Sequence, residues 1–289
     1  VGDDRTVAVV PAAGKGLRMG LPENKVYLTL VDRPVLAHTL AVFEECPQVD
    51  EVVLVVADGE EDFCRREVLR PFKLEKVTGV VKGGDSRQES VRQALRYIGG
   101  AAGLVVVHDG ARPLVPADLV LRAVAVGREL GAVVTGLPVK ETVKRVAPAR
   151  PAPLPAGAVG EPPHRVLETL NRGEVWLIQT PQVFWYDLLE MAHRRGAPAG
   201  GPATDDATLV ERLRHPVYVI LGSDENIKVT TPLDLVLARA ILTARASAGR
   251  RAEPEGRLSV PDRQRTGAPD GGERSGIRGD RDAAGSGRS

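Results

Sequence analysis

Four short runs rich in β-branched residues, at 7–10, 52–57, 77–81 and 104–108, alternate with stretches of helical periodicity at 35–45 and beyond Ser86. Strands that are apolar on both faces and separated by amphipathic helices predict a parallel sheet covered on each side by its crossovers. The alternation resumes with a helix after Pro116, a strand at 132–138, extended segments at 166–170 and 175–178, and helices at 186–195 and 205–213. Short strands at 217–221 and 227–229 and a last helix from Pro232 to about Ala246 complete it. With 289 residues, 43% of them hydrophobic, the chain has enough apolar material for a sizeable core. The expected architecture is α/β, built on a largely parallel twisted sheet.

Two stretches depart from this pattern. Residues 147–163 hold six prolines, which suit neither a central strand nor a sound helix. With its flanks, at 140–175, this stretch reads as a projecting β-arm of one domain spanning 1–248. From 249 to 289 the only larger apolar residues are Leu258, Val260 and Ile277, which predicts a disordered tail. Residues 250–289 carry nine Arg and seven acidic residues, a net of +2, so in a chain of net charge +1 the remainder is −1. A body of that charge gives no bulk electrostatic reason to bind nucleic acid. Cys46 and Cys64 have no CxxC or His-Cys companions and read as buried thiols. No apolar run approaches 20 residues and no signal-peptide pattern stands out, so the expectation is a cytoplasmic protein with no membrane partner.

The first strand runs into the loop PAAGKGLRMG at 11–20, with Lys25 close behind. Gly14 and Gly16 permit backbone angles and close approaches that side chains block. A dinucleotide fingerprint needs a third glycine where Met19 stands, and a Walker A loop needs Ser or Thr where Gly16 follows Lys15. Neither pattern fits. Arg18 and Lys25 instead supply positive charge against a polyphosphate.

Ligands of open parallel sheets sit beyond the carboxyl ends of the strands. Two more polar clusters fall at such ends, GGDSR at 83–87 and HDGARP at 108–113. Asp109 beside phosphates would be repulsive unless a cation intervened, which points to Mg²⁺ with Asp109 as its protein ligand. A turn cap or a pairing with Arg112 is the structural alternative. Asp85 and Ser86 suit a helix start, while the Gly83-Gly84 backbone can approach a base or ribose with Ser90 one turn further on the same side. Arg87, Glu89 and Arg92 are expected to be exposed around that helix.

Together the motifs PAAGKGLRMG, NK at 24–25, GGDSRQESV, HDGARP, ETVKR from Glu141, TLNR at 169–172, QTPQ from Gln179, ATDDA from Ala203 and ENIKVT from Glu225 have a recognisable order. Across about 6–246 the chain resembles the 2-C-methyl-D-erythritol 4-phosphate cytidylyltransferases of the non-mevalonate isoprenoid pathway. The resemblance implies a Rossmann-like nucleotidyltransferase fold, Mg²⁺ as cofactor, and a homodimer interlocked through the arms. It implies that Pro11, Ala12, Ala13, Gly14, Lys15, Gly16, Gly83, Asp85, Ser90 and Gly110 hold CTP. Arg18, Lys25, Asp109 and Lys228 would be the catalytic set. Arg112, Thr142, Arg172, Thr180 and Lys228 would hold 2-C-methyl-D-erythritol 4-phosphate, with Thr142 and Arg172 supplied by the partner subunit. Asp205 resembles an acidic residue of the same region.

Gly110 stands where the family often has alanine, Glu225 where it often has aspartate, and the proline-rich arm tip is a third departure. The alternative within the same chemistry is a ribitol-5-phosphate cytidylyltransferase. An NAD-dependent oxidoreductase lacks its glycine spacing here, and a noncatalytic nucleotide- or protein-binding module leaves the convergent metal and phosphate residues without a purpose.

Overall fold

The computed structural model describes residues 5–14, 24–148, 163–195 and 203–252. Lys15, Gly16 and Arg18, the arm tip and the expected tail beyond 252 lie outside the described residues. In chain order the elements are β1 (Thr6–Pro11), β2 (Thr29–Leu30), β3 (Arg33–Pro34), α1 (Val35–Glu45), β4 (Glu51–Val56), α2 (Glu61–Cys64), β5 (Val77–Lys82), α3 (Arg87–Ile98) and β6 (Leu104–Val107). There follow α4 (Ala117–Leu130), β7 (Ala132–Pro138), β8 (Lys144–Pro148), β9 (His164–Thr169), β10 (Trp176–Trp185), α5 (Tyr186–Arg195), α6 (Asp206–Arg212), β11 (Tyr218–Leu221) and α7 (Pro232–Ala252).

Seven strands form one sheet in the order β11-β7-β10-β6-β1-β4-β5. β1 pairs in parallel with β4 and β6, β4 with β5, and β7 with β11, whereas β10 runs antiparallel between β6 and β7. The α/β, largely parallel expectation holds. β1, β4 and β6 alternate their side chains between two cores: Ala8, Val10, Leu54, Val56 and Val106 face the cluster containing Leu36, Phe43 and Leu119. Val7, Val9, Val53, Val55, Val105 and Val107 face the cluster containing Val91, Leu95 and Leu189. That period of two explains why these runs are continuously apolar.

Local signals set several boundaries. Ser86 caps α3, its Oγ accepting from Glu89 N at 3.0 Å. Gly131 closes α4 at φ +78°, and the Trp185 ring occupies the place a Cβ would need. Cys46 and Cys64 are buried free thiols, and burial pushes the Cys64 thiol up to about 12.

Three expectations change. The segment at 175–178 is the start of a ten-residue strand whose register shifts between Gln179 and Gln182. Residues 227–229 form no strand; Val229 N donates one bond to Ala111 O at 2.8 Å, which draws the chain across the cleft instead of into the sheet. The last helix continues to Ala252. β8 and β9 pair antiparallel as a separate two-stranded sheet, the base of the expected arm. Among the described residues no helix is long and apolar enough to cross a membrane.

Candidate functional site

The chain order reverses around β1: β4 and β5 extend the sheet on one side of it and β6 on the other. Such a reversal leaves a crevice, because successive crossovers leave in opposite directions. A cleft of about 710 Å³ lies there, lined by residues that follow β1, β4, β5 and β6. Backbone bonds carry the ladders past the strand ends and fix the loops: Ala12 N to Val55 O at 2.7 Å, Gly83 N to Val56 O at 2.8 Å and His108 N to Val9 O at 2.9 Å.

Of the residues singled out from the sequence, Pro11, Ala12, Ala13, Gly14, Lys25, Gly83, Asp85, Ser90, Asp109 and Lys228 line this cleft. Gly110, Arg112 and Thr180 stand behind its wall, and Thr142 and Arg172 are exposed outside it. Arg172 donates to Lys140 O at 2.9 Å, near the base of the arm. Asp58, Lys82, Arg87 and Thr230 also line the cleft; Arg87 and Thr230 fall within the GGDSRQESV and ENIKVT runs but were given no role there, whereas Asp58 and Lys82 lie in none of the motifs.

Gly83 is required by close packing. A Cβ there would stand 2.6 Å from Ala13 Cβ, 2.9 Å from Ser90 Oγ and 3.2 Å from Val56 O. Ser90 Oγ accepts from Gly84 N at 3.2 Å and donates to Ser86 O at 2.9 Å, so it shapes this loop. Gly83→Ala is expected to cost about 1–3 kcal/mol of stability through overpacking, read as a lower denaturant midpoint. A midpoint unchanged from the parent protein would contradict that packing argument. Gly110 is also tight, with three neighbours 3.2 Å from a built Cβ.

Lys25 is presented by a short turn at Lys25–Tyr27 whose cap is Asn24. The Asn24 side chain accepts from Val26 N at 3.4 Å and donates to Ala12 O at 2.9 Å. This ties the two ends of the glycine loop together. Glu60 Oε2 accepts from Tyr27 OH at 2.9 Å and steadies the same turn.

Asp109 is the electrostatic centre. Its Oδ2 is 2.7 Å from Lys228 Nζ and 3.8 Å from Arg112 Nε, while Arg87 Nε donates to Oδ1 at 3.2 Å. Burial pushes the carboxyl up, but Arg87, Lys228 and Arg112 outweigh it and hold it well below the usual carboxylate range. Arg87 Nη1 also donates to Asp206 Oδ2 at 2.6 Å, and Asp206 Oδ1 meets His193 Nε2 at 3.0 Å. Three cations against two carboxylates leave this cluster at +1 before Lys25 is added. The expected exposure of Arg87 is therefore corrected: helical spacing cannot register a carboxylate 119 residues away. Asp205 caps α6, accepting from Thr208 N at 3.0 Å, and it is Asp206 that joins the charged chain.

Thr180 Oγ1 accepts from Asp109 N at 3.1 Å and lies 3.1 Å from His108 Nδ1. The hydroxyl proton is thereby directed to Nδ1, which leaves Nε2 as the donor to Arg112 O at 3.2 Å. Burial lowers the His108 pKa to about 4. A depressed histidine contributes stability that is fully present above about 6.5, the unfolded value, and is lost as pH falls toward 4. Between pH 7.5 and 5.0 a loss of roughly 2 kcal/mol is expected in denaturant unfolding, and His108→Gln should remove it. Equal slopes in both proteins would rule His108 out as the source.

Glu225, one of the departures from the family pattern, accepts from Arg245 Nε at 2.8 Å and anchors α7. Among the described residues no group of three His, Cys, Asp or Glu side chains stands close enough to hold a metal.

Relatives share this chain's sequence over the region that builds the cleft. A family model described as 2-C-methyl-D-erythritol 4-phosphate cytidylyltransferase matches residues 6–244. Proteins of that name from Alkaliphilus metalliredigens and Desulforamulus reducens are 42% and 45% identical over 241 and 239 residues. Each alignment spans 83% of this chain, and 94% and 96% of the respective relatives. The crystal structure of 4-diphosphocytidyl-2C-methyl-D-erythritol synthase from Anaerococcus prevotii superposes with a TM-score of 0.67 at 30% identity, covering 83% of this chain and 97% of that one. With a net-positive cleft at the sheet's switch point, Asp109 at its centre, and this likeness running through every strand that builds it, the chain belongs to the 2-C-methyl-D-erythritol 4-phosphate cytidylyltransferase family.

Proposed function

We propose that this cleft binds CTP and 2-C-methyl-D-erythritol 4-phosphate and joins them with release of pyrophosphate. A phosphate oxygen of the polyol attacks the α-phosphorus of CTP in line, and the bond from that phosphorus to the pyrophosphate oxygen breaks. The product is 4-diphosphocytidyl-2-C-methyl-D-erythritol, an intermediate of non-mevalonate isoprenoid synthesis. A phosphate monoester is already ionised near neutral pH, so the attacking group needs no strong base. The protein's work is to hold two anions together and to neutralise charge as pyrophosphate leaves.

The observation that carries this reading is the Asp109 cluster, which keeps a net positive charge on the wall of a cleft about the size of a nucleotide site. The CTP site is assigned to residues 11–16 with Gly83, Asp85 and Ser90, backed by Gly110, and stabilisation of the triphosphate to Arg18 and Lys25. Asp109 would hold Mg²⁺. A single ionised carboxylate with no further metal-ligating cluster among the described residues fits an ion brought in on phosphate oxygens, the usual way Mg²⁺ is held. The ion would supply charge neutralisation to the phosphates and Asp109 would orient it, while Lys228, 2.7 Å from Asp109, stands ready for the reacting phosphate.

The polyol phosphate is assigned to Lys228, Arg112 and Thr180 with Thr142 and Arg172 of the partner subunit, Thr180 acting through its bond to the Asp109 amide. Support for a homodimer comes from apolar side chains exposed on the arm and the adjoining sheet edge: Val166, Leu167, Leu177, Ile178, Val219 and Leu221. The cytoplasm is the assigned compartment, in keeping with the soluble substrates.

Pyrophosphate release measured with each of the four nucleotides and with both methylerythritol phosphate and ribitol 5-phosphate tests the reading. CTP with methylerythritol phosphate should be the fastest pair. Faster turnover of ribitol 5-phosphate would replace the named polyol, and CTP binding without pyrophosphate release in any combination would reduce the protein to a binding module.

A further inference from the structure

We infer that Arg87 is a positioning residue for the transfer reaction, acting through Asp109, and that Asp206 and His193 are its buried support. The inference rests on the cytidylyl-transfer reading of the cleft.

The geometry forms one chain of contacts in which Lys228, Asp109, Arg87 and Asp206 alternate in charge. Lys228 Nζ takes Asp109 Oδ2, Arg87 Nε takes Asp109 Oδ1, Arg87 Nη1 takes Asp206 Oδ2, and His193 Nε2 takes Asp206 Oδ1. Each carboxylate oxygen has its own partner among these groups. The Asp206 and His193 side chains are 1% and 2% exposed, so this end of the chain cannot be replaced by water. Arg87 opens α3 and Asp206 opens α6, so the contact clamps two helix starts together beneath the cleft.

The consequence reaches the reacting groups through lysine chemistry. An ammonium has three N–H donors. With Oδ1 held by Arg87, Asp109 engages Lys228 through Oδ2 at 2.7 Å. Without Arg87, both oxygens can turn to Lys228 and Arg112, which draws the ammonium onto the protein and away from phosphate. Asp109 and Asp206 would also face each other with no cation between them. A purely structural ion pair predicts lost stability with normal turnover per folded site; a positioning role predicts lost turnover with substrate affinity largely kept.

Steady-state kinetics of Arg87→Gln, Arg87→Lys, Asp206→Asn and the double variant R87Q/D206N, each normalised to folded protein by circular dichroism, distinguish these. For Arg87→Gln, kcat should fall ~100-fold, the scale of a displaced reacting group, while KM for CTP stays within ~3-fold. Arg87→Lys restores the charge and should recover about a tenth of parental kcat. Asp206→Asn should lose ~10-fold, and the double variant should be no worse than ~2-fold below Arg87→Gln, because the two act through one path. Folded Arg87→Gln with kcat within twofold of the parent overturns the inference, as does multiplicative loss in the double variant. If Arg87→Gln does not fold, the Asp206→Asn result decides: normal kcat overturns it. A parent protein that releases no pyrophosphate from CTP defeats the underlying reading instead.

Discussion

Lys25→Ala is expected to lower turnover with CTP at least ~100-fold, the lower range for losing one preorganised electrostatic donor at a developing charge. Lys25 lines the cleft from a turn that Asn24 and Glu60 hold in place, so the backbone that carries it is fixed before substrate arrives. Preorganisation is what makes the loss large: a mobile lysine would spend part of its attraction on being ordered. The fold should tolerate the change because the turn is capped by backbone and Asn24 contacts. Steady-state kcat at saturating CTP and polyol phosphate, with an unchanged unfolding midpoint, checks the assignment, and near-parental turnover would remove Lys25 from the catalytic set. The same loss is expected of Arg18→Ala, on the strength of the sequence motif alone.

Asp109→Asn should damage both activity and stability. Three cationic side chains, Lys228, Arg87 and Arg112, lie within 3.8 Å of this one carboxylate, and an amide in its place leaves them facing each other in a largely buried site. Removing one partner from buried charged groups costs about 3–5 kcal/mol in general, and the expected loss in denaturant stability is on that scale. Turnover should drop by about 10²–10³-fold, since the proposed metal ligand and the restraint on Lys228 would disappear together. A variant as stable as the parent would show that the cations do not depend on Asp109.

Much of this site is legible in the amino-acid sequence. Apolar runs of the right length located β1, β4, β5 and β6, and a ligand site at their carboxyl ends follows from parallel topology. The loop residues placed at those ends, from Pro11 to Gly14 and at Gly83, Asp85 and Asp109, do line one cleft. Ser86 as the start of α3 followed from local capping chemistry, which needs no distant partner.

What escaped was set by distance along the chain. Arg87 was expected on a solvated face, yet it pairs with Asp206 from α6. The contacts of the Thr180 hydroxyl with the Asp109 amide and His108 also span 71 and 72 residues and leave no mark in the local sequence. The segment at 227–229 has strand-forming residues but is drawn across the cleft by one bond to Ala111 and by Lys228 reaching Asp109. Propensity and periodicity describe a residue's neighbours within a few positions, and none of these partners lies there.

For this protein the order of residues determined the α/β alternation, the loops that end its strands and the anionic character of the ligand, because hydrophobic period and charge type are local properties. Tertiary structure alone decided which charges meet. The reversal of strand order around β1 brings α3, α6, β6 and the 226–230 segment together, and only in that crevice do two carboxylates and three cations become a single net-positive site.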